Sequence, residues 1–348
     1  TRLTTCDMWT RFSRACSAAR AGIPLRFQAS SRRTVSGTNC RLANVGGNKT
    51  VAFLERGNNI RERNLMRKLG FAAAAVAAVC MMGASGASAQ KLYWAASGQF
   101  GPFNIQGLIP TYPEARDIKI PINMWVLDHP MGLVVYDTGN NVAISDGNCA
   151  SHWSQGSCDF LRPSQTRDDV IDRYLQRLGY SVDDVKVVIT SHSHLDHIAN
   201  IEMFPNATHV IQKIELYQAW WPEKFQRSSG AHILADYDDA RDFDYFALDG
   251  DYDLFGDGSV MVYFTPGHTL GHQSVKVKLP NTGTVILSQD AIWMEENLEG
   301  HPAGLNYSIK DYFHSVERLT RMRDLENAPL WFGHSIKQYE SMGERWYD

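Results

Sequence analysis

Seven consecutive residues, Ser191-His192-Ser193-His194-Leu195-Asp196-His197, constrain this chain more than any other stretch. They follow Val185–Thr190, a short apolar, β-branched run best read as a buried strand. Three imidazoles and a carboxylate at this spacing share no single face of a helix or of a continuous strand. A loop at a strand's end can turn them all to one point. Neutral imidazole and carboxylate oxygen suit zinc, and one ion takes three or four protein ligands, so this density argues for two ions. A single histidine here would read as an ordinary surface or hydrogen-bonded residue; the run H-x-H-x-D-H does not.

A metal pair needs further ligands, and the later chain offers them in the same setting. His268 lies in Thr265-Pro266-Gly267-His268-Thr269-Leu270-Gly271-His272, just past the predicted strand Val260–Thr265. Asp290 follows the strand Thr284–Ser288, and His334 follows the short strand Pro329–Phe332. Side chains at successive strand ends converge on one rim, the usual place for an α/β site. His272 competes with His268, but Gly271 and Gln273 put it at the start of the next strand, Gln273–Leu279, which favours His268. Upstream, Ile122–Asp128 and Leu133–Asp137 read as a hairpin around His129-Pro130-Met131-Gly132. Thr208–Gln212 reads as a further strand, and helices are predicted near 168–178, stopping at Gly179, after that strand through Trp220, and near 309–325. Strands and helices in this order indicate an α/β layered protein.

Charge separates the chain into two parts. Residues 1–90 hold 14 Lys+Arg against 3 Asp+Glu, whereas residues 91–348 hold 20 against 35, so the overall −4 averages a basic leader with an acidic body. An acidic body repels phosphate backbones, which argues against nucleic acid as a partner. Met66-Arg67-Lys68, the apolar run from Leu69 to about Gly83 and Ala87-Ser88-Ala89 have the layout of a secretory signal. The apolar run is shorter than the roughly 20 residues that span a bilayer. We therefore expect residues 66–89 to be a signal peptide cleaved near Ala89, no stable membrane anchor, and a periplasmic or secreted body over 90–348. Residues 1–65, Arg- and Ser-rich and poor in acids, read as an upstream, disordered extension. Cys149 and Cys158 are the two cysteines of the body; nine positions apart in a Gly/Ser-rich stretch, they suit a loop disulfide in an oxidising compartment.

The ligand pattern resembles the metallo-β-lactamase superfamily over nearly all of 91–348, which implies a four-layer αββα sandwich with a dinuclear site on one edge. The resemblance implies that His192, His194 and His268 bind one Zn2+, that Asp196, His197 and His334 bind the other, and that Asp290 bridges them. It also makes Asp137, in Asp137-Thr138-Gly139, a structural aspartate beside the ligand loop. Within the superfamily, Ser191–Asn200, Phe204-Pro205-Asn206-Ala207, Thr265–Ser274 and Asp290–Asn297 are similar to the N-acyl homoserine lactonases, the quorum-quenching branch. The spacings of 22 residues from His268 to Asp290 and 44 from Asp290 to His334 are similar too. The implied reaction opens the lactone ring by attack of a hydroxide held between two zinc ions, with Asp196 ferrying a proton to the leaving oxygen. The implied partner is a small-molecule lactone or ester, and a homodimer is compatible with the pattern.

One position departs from that branch. Those lactonases generally have tyrosine three residues after the bridging aspartate; here it is Trp293, whose indole N–H donates a hydrogen bond but cannot exchange protons as a phenol does. Trp293 as donor, Tyr307 in its stead, or a different ester, thioester or phosphotriester substrate are the alternatives. For an acyl tail, Trp220, Trp221, Phe225, Trp293 and Leu298 are the candidate channel residues.

Overall fold

The computed structural model describes residues 90–221 and 231–348. The expected extension (1–65), the expected signal (66–89) and Phe225 lie outside the described residues.

Strands β1 (Lys91–Asn104), β2 (Asp117–His129), β3 (Gly132–Tyr136), β4 (Val185–Ile189), β5 (Thr208–Gln212) and β6 (Tyr245–Leu248) form one sheet with β12 (Arg345–Tyr347), in the order β12-β1-β2-β3-β4-β5-β6. A second sheet holds β7 (Tyr252–Asp253), β8 (Val260–Phe264), β9 (Gln273–Leu279), β10 (Gly283–Gln289) and β11 (Leu330–Phe332), in the order β11-β10-β9-β8-β7. Most of these strands fall where the apolar runs place them. β1 does not: Gly98 and the Gly101-Pro102 pair interrupt its alternation, so its 14 residues carry no clean period-two signal. The Cys149–Cys158 stretch is also more ordered than a polar loop, with helical turns at Cys149–His152 and Gln155–Leu161.

Alternation along each strand assigns its two faces to different layers. Trp125 and Leu127 on β2, and Val134 on β3, point into a core shared with Val260, Val275, Val277, Val285 and Leu287 of the second sheet. Their neighbours Met124, Val126 and Val135 point the other way and pack against Ile171, Tyr174 and Leu175 of the helix Ile171–Leu178. That helix ends, as its sequence requires, at Gly179 with φ 89°. On the far side, Ile286 and Leu330 pack against Leu319 of the helix Ile309–Glu326. Helix, sheet, sheet, helix is the expected αββα order. The helix Ile309–Glu326 meets the second sheet through Leu319 and turns Tyr312 into a separate cluster with Phe100 and Trp293, whereas Ile309 and Phe313 are exposed. Among the described residues no helix is long and apolar enough to cross a membrane.

An aromatic stack ties the sheets together. Trp125 stacks on Trp94 of β1 at 5.4 Å between ring centroids and on Trp331 of β11 at 5.2 Å. Burying three indoles in one column contributes both area and ring–ring attraction. Trp125→Ala leaves a cavity between the sheets and is expected to cost about 3–5 kcal/mol, read from the urea midpoint of unfolding. A loss below about 1 kcal/mol would show that the stack does not hold the sheets together.

Candidate metal centre

Topology brings the ligand-type residues to one rim. β3 and β4 run parallel, so Asp137 and the loop 191–197 leave the first sheet at the same edge. β10 and β11 are parallel, and β8 is antiparallel to β9 as β9 is to β10, so the ends of β8, β10 and β11 share an edge of the second sheet. The rim therefore belongs to two sheets rather than one. It is laced across by Gln273 N–H donating to the Ser191 carbonyl (2.9 Å) and Asn123 Nδ2 to the Phe332 carbonyl (3.0 Å).

The seven predicted residues meet there. The ligand atoms of His192, His194 and His268 lie within 4.8 Å of one another, as do those of Asp196, His197 and His334, and those of His192, His197 and Asp290. Asp290 faces both sets with different oxygens. Its Oδ2 is 3.1 Å from His268 Nε2 and 3.8 Å from His192 Nε2; its Oδ1 is 3.0 Å from His334 Nε2 and 3.2 Å from His197 Nε2. Asp196 Oδ2 stands 3.5 Å from His197 Nε2 and 3.7 Å from His334 Nε2. Ligand atoms around a tetrahedral ion bound at about 2 Å sit roughly 3.3 Å apart, so these separations fit a metal pair. His268, not His272, joins the cluster; His272 holds Thr265 Oγ1 through Nδ1 at 2.9 Å, and burial pushes it down to about 3.

Four of the imidazoles are held from behind through Nδ1, which turns Nε2 inward; His268 Nε2 meets His194 Nδ1 at 3.0 Å and His334 Nε2 meets Asp290 Oδ1 at 3.0 Å. His268 Nδ1 donates to the Leu305 carbonyl (2.7 Å), His334 Nδ1 to the Pro121 carbonyl (2.8 Å) and His197 Nδ1 to Asp137 Oδ2 (2.8 Å). Ser191 Oγ gives its one proton to Asp137 Oδ2 (2.6 Å) and so accepts from His192 Nδ1 (3.0 Å). The buried Nε2 atoms of His192 and His197 have no hydrogen-bond partner. An imidazole fixed in this tautomer presents a lone pair inward, as a metal ligand must. Burial, reinforced by neighbouring imidazoles, holds His192 and His194 well below the ordinary histidine value. At His197 and His334 burial pulls the same way, but the carboxylates of Asp196 and Asp290 outweigh it and hold them above that value. Burial alone would raise Asp290, yet His334, His197 and His268 hold it well below the usual carboxylate range.

Asp137 and Glu215 position the loops. Asp137, at φ 61°, is fully buried and also accepts from Ser191 N–H (2.6 Å) and Gln289 Nε2. Glu215 Oε1 accepts from Ser193 N–H (2.8 Å) and Oγ (2.6 Å) while Oε2 accepts from Gly271 N–H (2.9 Å), joining the two ligand loops. A Cβ on Gly267 would lie 2.2 Å from Tyr312 N, so only glycine lets the His268 loop approach the helix Ile309–Glu326. Sequence reading found Asp137 but missed Glu215 and Gln289. Glu215 stands between Ile214 and Leu216 just past a strand end, a signal of burial with a purpose, whereas Gln289 between Ser288 and Asp290 carries no such signal.

A cavity of about 350 Å³ adjoins Asp196, His194, His268, Asp290 and His334. Its walls are apolar: Phe100 and Phe103 of β1, Leu108, Phe160, Leu161, Leu195, Trp293 and Leu305. Of the residues expected to line an acyl channel, only Trp293 does so among those described. Trp220 is buried in a separate cluster with Ile198 and Tyr237, Trp221 is exposed, and Leu298 packs against the outer face of the second sheet. Their spacing reflected other packing. Trp293 stands edge-on to His268 (5.6 Å) and His334 (5.8 Å), with its buried Nε1 unpartnered. Tyr307 does not line the cavity; its backbone N–H donates to the His268 carbonyl at 3.1 Å.

Comparison with known proteins agrees with this geometry. Residues 118–334 match the family described as the metallo-beta-lactamase superfamily. The chain is 36% identical over 229 residues to an N-acyl homoserine lactonase AttM of Agrobacterium fabrum, covering 64% of this chain and 84% of that protein. It is 33% identical over 259 residues to an N-acyl homoserine lactonase AttM of Azorhizobium caulinodans, covering 72% and 95%. A solved N-acyl homoserine lactone hydrolase, with the product N-hexanoyl-L-homoserine at its catalytic metal centre, superposes with a TM-score of 0.63 at 25% identity, covering 73% of this chain and 96% of that one. With this match spanning most of the two-sheet body and its histidine–aspartate rim, the chain is a hydrolase belonging to the metallo-β-lactamase superfamily, in its N-acyl homoserine lactonase-like branch.

Proposed function

We propose that the protein opens the lactone ring of N-acyl homoserine lactones with a pair of zinc ions. The observation that carries this reading is Asp290, whose two oxygens face separate histidine sets at the mouth of an apolar cavity. His192, His194 and His268 would hold one ion and Asp196, His197 and His334 the other, with Asp290 between. When bound, the ions supply Lewis-acid polarisation of the carbonyl and a water acidic enough to ionise near neutral pH.

The protein's own groups then divide the remaining work. Asp137 and Ser191 hold the His192 and His197 rings at one angle and in one tautomer. Asp196, the more exposed of the two carboxylates in the cluster, is placed to take a proton and return it to the departing alkoxide. The cavity's apolar walls take up the acyl group and keep bulk water from the reacting carbonyl. Trp293 forms the wall nearest the histidines, and its Nε1–H is able to donate one hydrogen bond without accepting a proton. This difference favours a second reading, in which another ester, thioester or phosphotriester is the substrate. The Cys149–Cys158 disulfide supports the further proposal that the body works in an oxidising, periplasmic or secreted setting.

Asp290→Asn is expected to reduce bound metal below one ion per chain and turnover by roughly 100-fold or more, measured by elemental analysis beside hydrolysis. Full activity with less than one ion would sink the two-metal reading. Asp137→Asn leaves the ligands in place but weakens their support; zinc affinity in a chelator titration is expected to fall roughly 10- to 100-fold. A panel of acyl homoserine lactones, aryl esters, phosphotriesters and S-lactoylglutathione separates the substrate readings, with the lactones expected to have the highest kcat/KM.

A further inference from the structure

The disulfide does not line the cavity itself but packs against the apolar cluster behind its wall, a position that gives it a role beyond stability. Cys149 and Cys158 pack against the same apolar cluster as Phe100, Phe103, Leu195 and Trp293. Two and three residues past Cys158, Phe160 and Leu161 line the cavity, and the Phe160 ring sits 5.6 Å from that of Phe103. Yet the helix that carries them, Gln155–Leu161, is poorly held. None of its residues is buried, and Phe160 is 61% exposed. The hydrogen bonds of residues 155–161 run to one another or to Ser154 and Arg162.

Among the described residues, its polar anchors stand on either side of it. On the entry side, His152 Nε2 and Trp153 Nε1 both bond Asp236, at 2.7 and 3.1 Å to its nearer oxygens. On the exit side, Ser164 and Gln99 exchange backbone hydrogen bonds at 2.8 and 3.0 Å, and Arg162 reaches the Pro102 carbonyl. A seven-residue helix is too short to persist alone and here buries little apolar area to compensate. Within it, the one tie of covalent strength to the preceding turn is Cys158 to Cys149, with Cα atoms 6.0 Å apart.

We infer that the Cys149–Cys158 disulfide is a specificity-determining element: it fixes Phe160 and Leu161 as the cavity wall and so sets the preference for substrates with an extended acyl tail. The inference rests on the reading of the protein as an acyl lactone hydrolase. The disulfide touches no reacting atom and acts through the wall. A fixed wall spares the tail the cost of ordering its own binding surface, an advantage that grows with tail length.

The test compares the unaltered protein with Cys149→Ser/Cys158→Ser and with Phe160→Ala, in which the cross-link is intact. The ratio of kcat/KM for N-decanoyl to N-butanoyl homoserine lactone is expected to fall at least about fivefold in both variants, with the loss carried by KM rather than kcat. Sodium decanoate binding, measured by calorimetry, is expected to weaken by a similar factor. If both quantities stay within twofold of the unaltered protein in Cys149→Ser/Cys158→Ser, the inference is wrong, whatever Phe160→Ala does. Should the unaltered protein open no lactone, the function reading falls while decanoate binding alone decides this one. Should the double serine variant fail to fold by circular dichroism, Phe160→Ala decides, and an unchanged ratio there overturns the inference.

Discussion

A carboxylate with no access to water organises this molecule. Asp137 sits at the end of β3 and accepts from the Ser191 backbone, the Ser191 hydroxyl, His197 and Gln289. A buried, unpaired charge costs several kcal/mol, so the fold tolerates Asp137 only where these donors surround it. That requirement works in reverse on the donors. Ser191 and His197 belong to the loop after β4, and Gln289 to the end of β10, so satisfying one side chain aligns elements from both sheets. Asp137 at φ 61° and Gln289 at φ 43° both occupy the left-handed region, strained backbone placed where the strands deliver their side chains.

The sandwich supplies what this network needs: two rigid edges at a fixed separation. The tryptophan column and the valine-rich core set the distance between sheets, and the parallel pairs β3–β4 and β10–β11 send their carboxyl ends to the same side. Loops mounted on such edges hold side chains more closely than free loops do. Glu215 and the close approach at Gly267 then remove the remaining freedom of the loops carrying His194 and His268.

How much of this was legible depended on whether the signal was local. The strands β4, β5, β9, β10 and β11 are short apolar runs closed by polar residues, and His192, His194, Asp196, His197, His268, Asp290 and His334 stand just past such runs, so sequence spacing located both. β1 was missed because Gly98, Gly101 and Pro102 break its alternation, and pairing with β2 and β12 holds it in place instead. Apart from Trp293, the cavity wall was missed for a related reason. It comes from β1 and from the helix after Cys149, segments brought together by tertiary packing, whereas Trp220 and Leu298 carry the same apolar character into unrelated clusters. The polar stretch containing the cysteines looked like a loop because its helices are short and exposed.

The donor atoms at the rim are shared between the halves of the sandwich. His192, His194, Asp196 and His197 hang from the first sheet; His268, Asp290 and His334 hang from the second. The groups His192–His194–His268 and Asp196–His197–His334 each draw on both sheets, so either group comes apart when the sheets part. Any ion that binds there and not to the open chain adds RT ln(1 + [L]/Kd) to the folding free energy. Conformational resilience is then set by the surrounding medium as well as by packing, and rises or falls with the free ion concentration the protein meets.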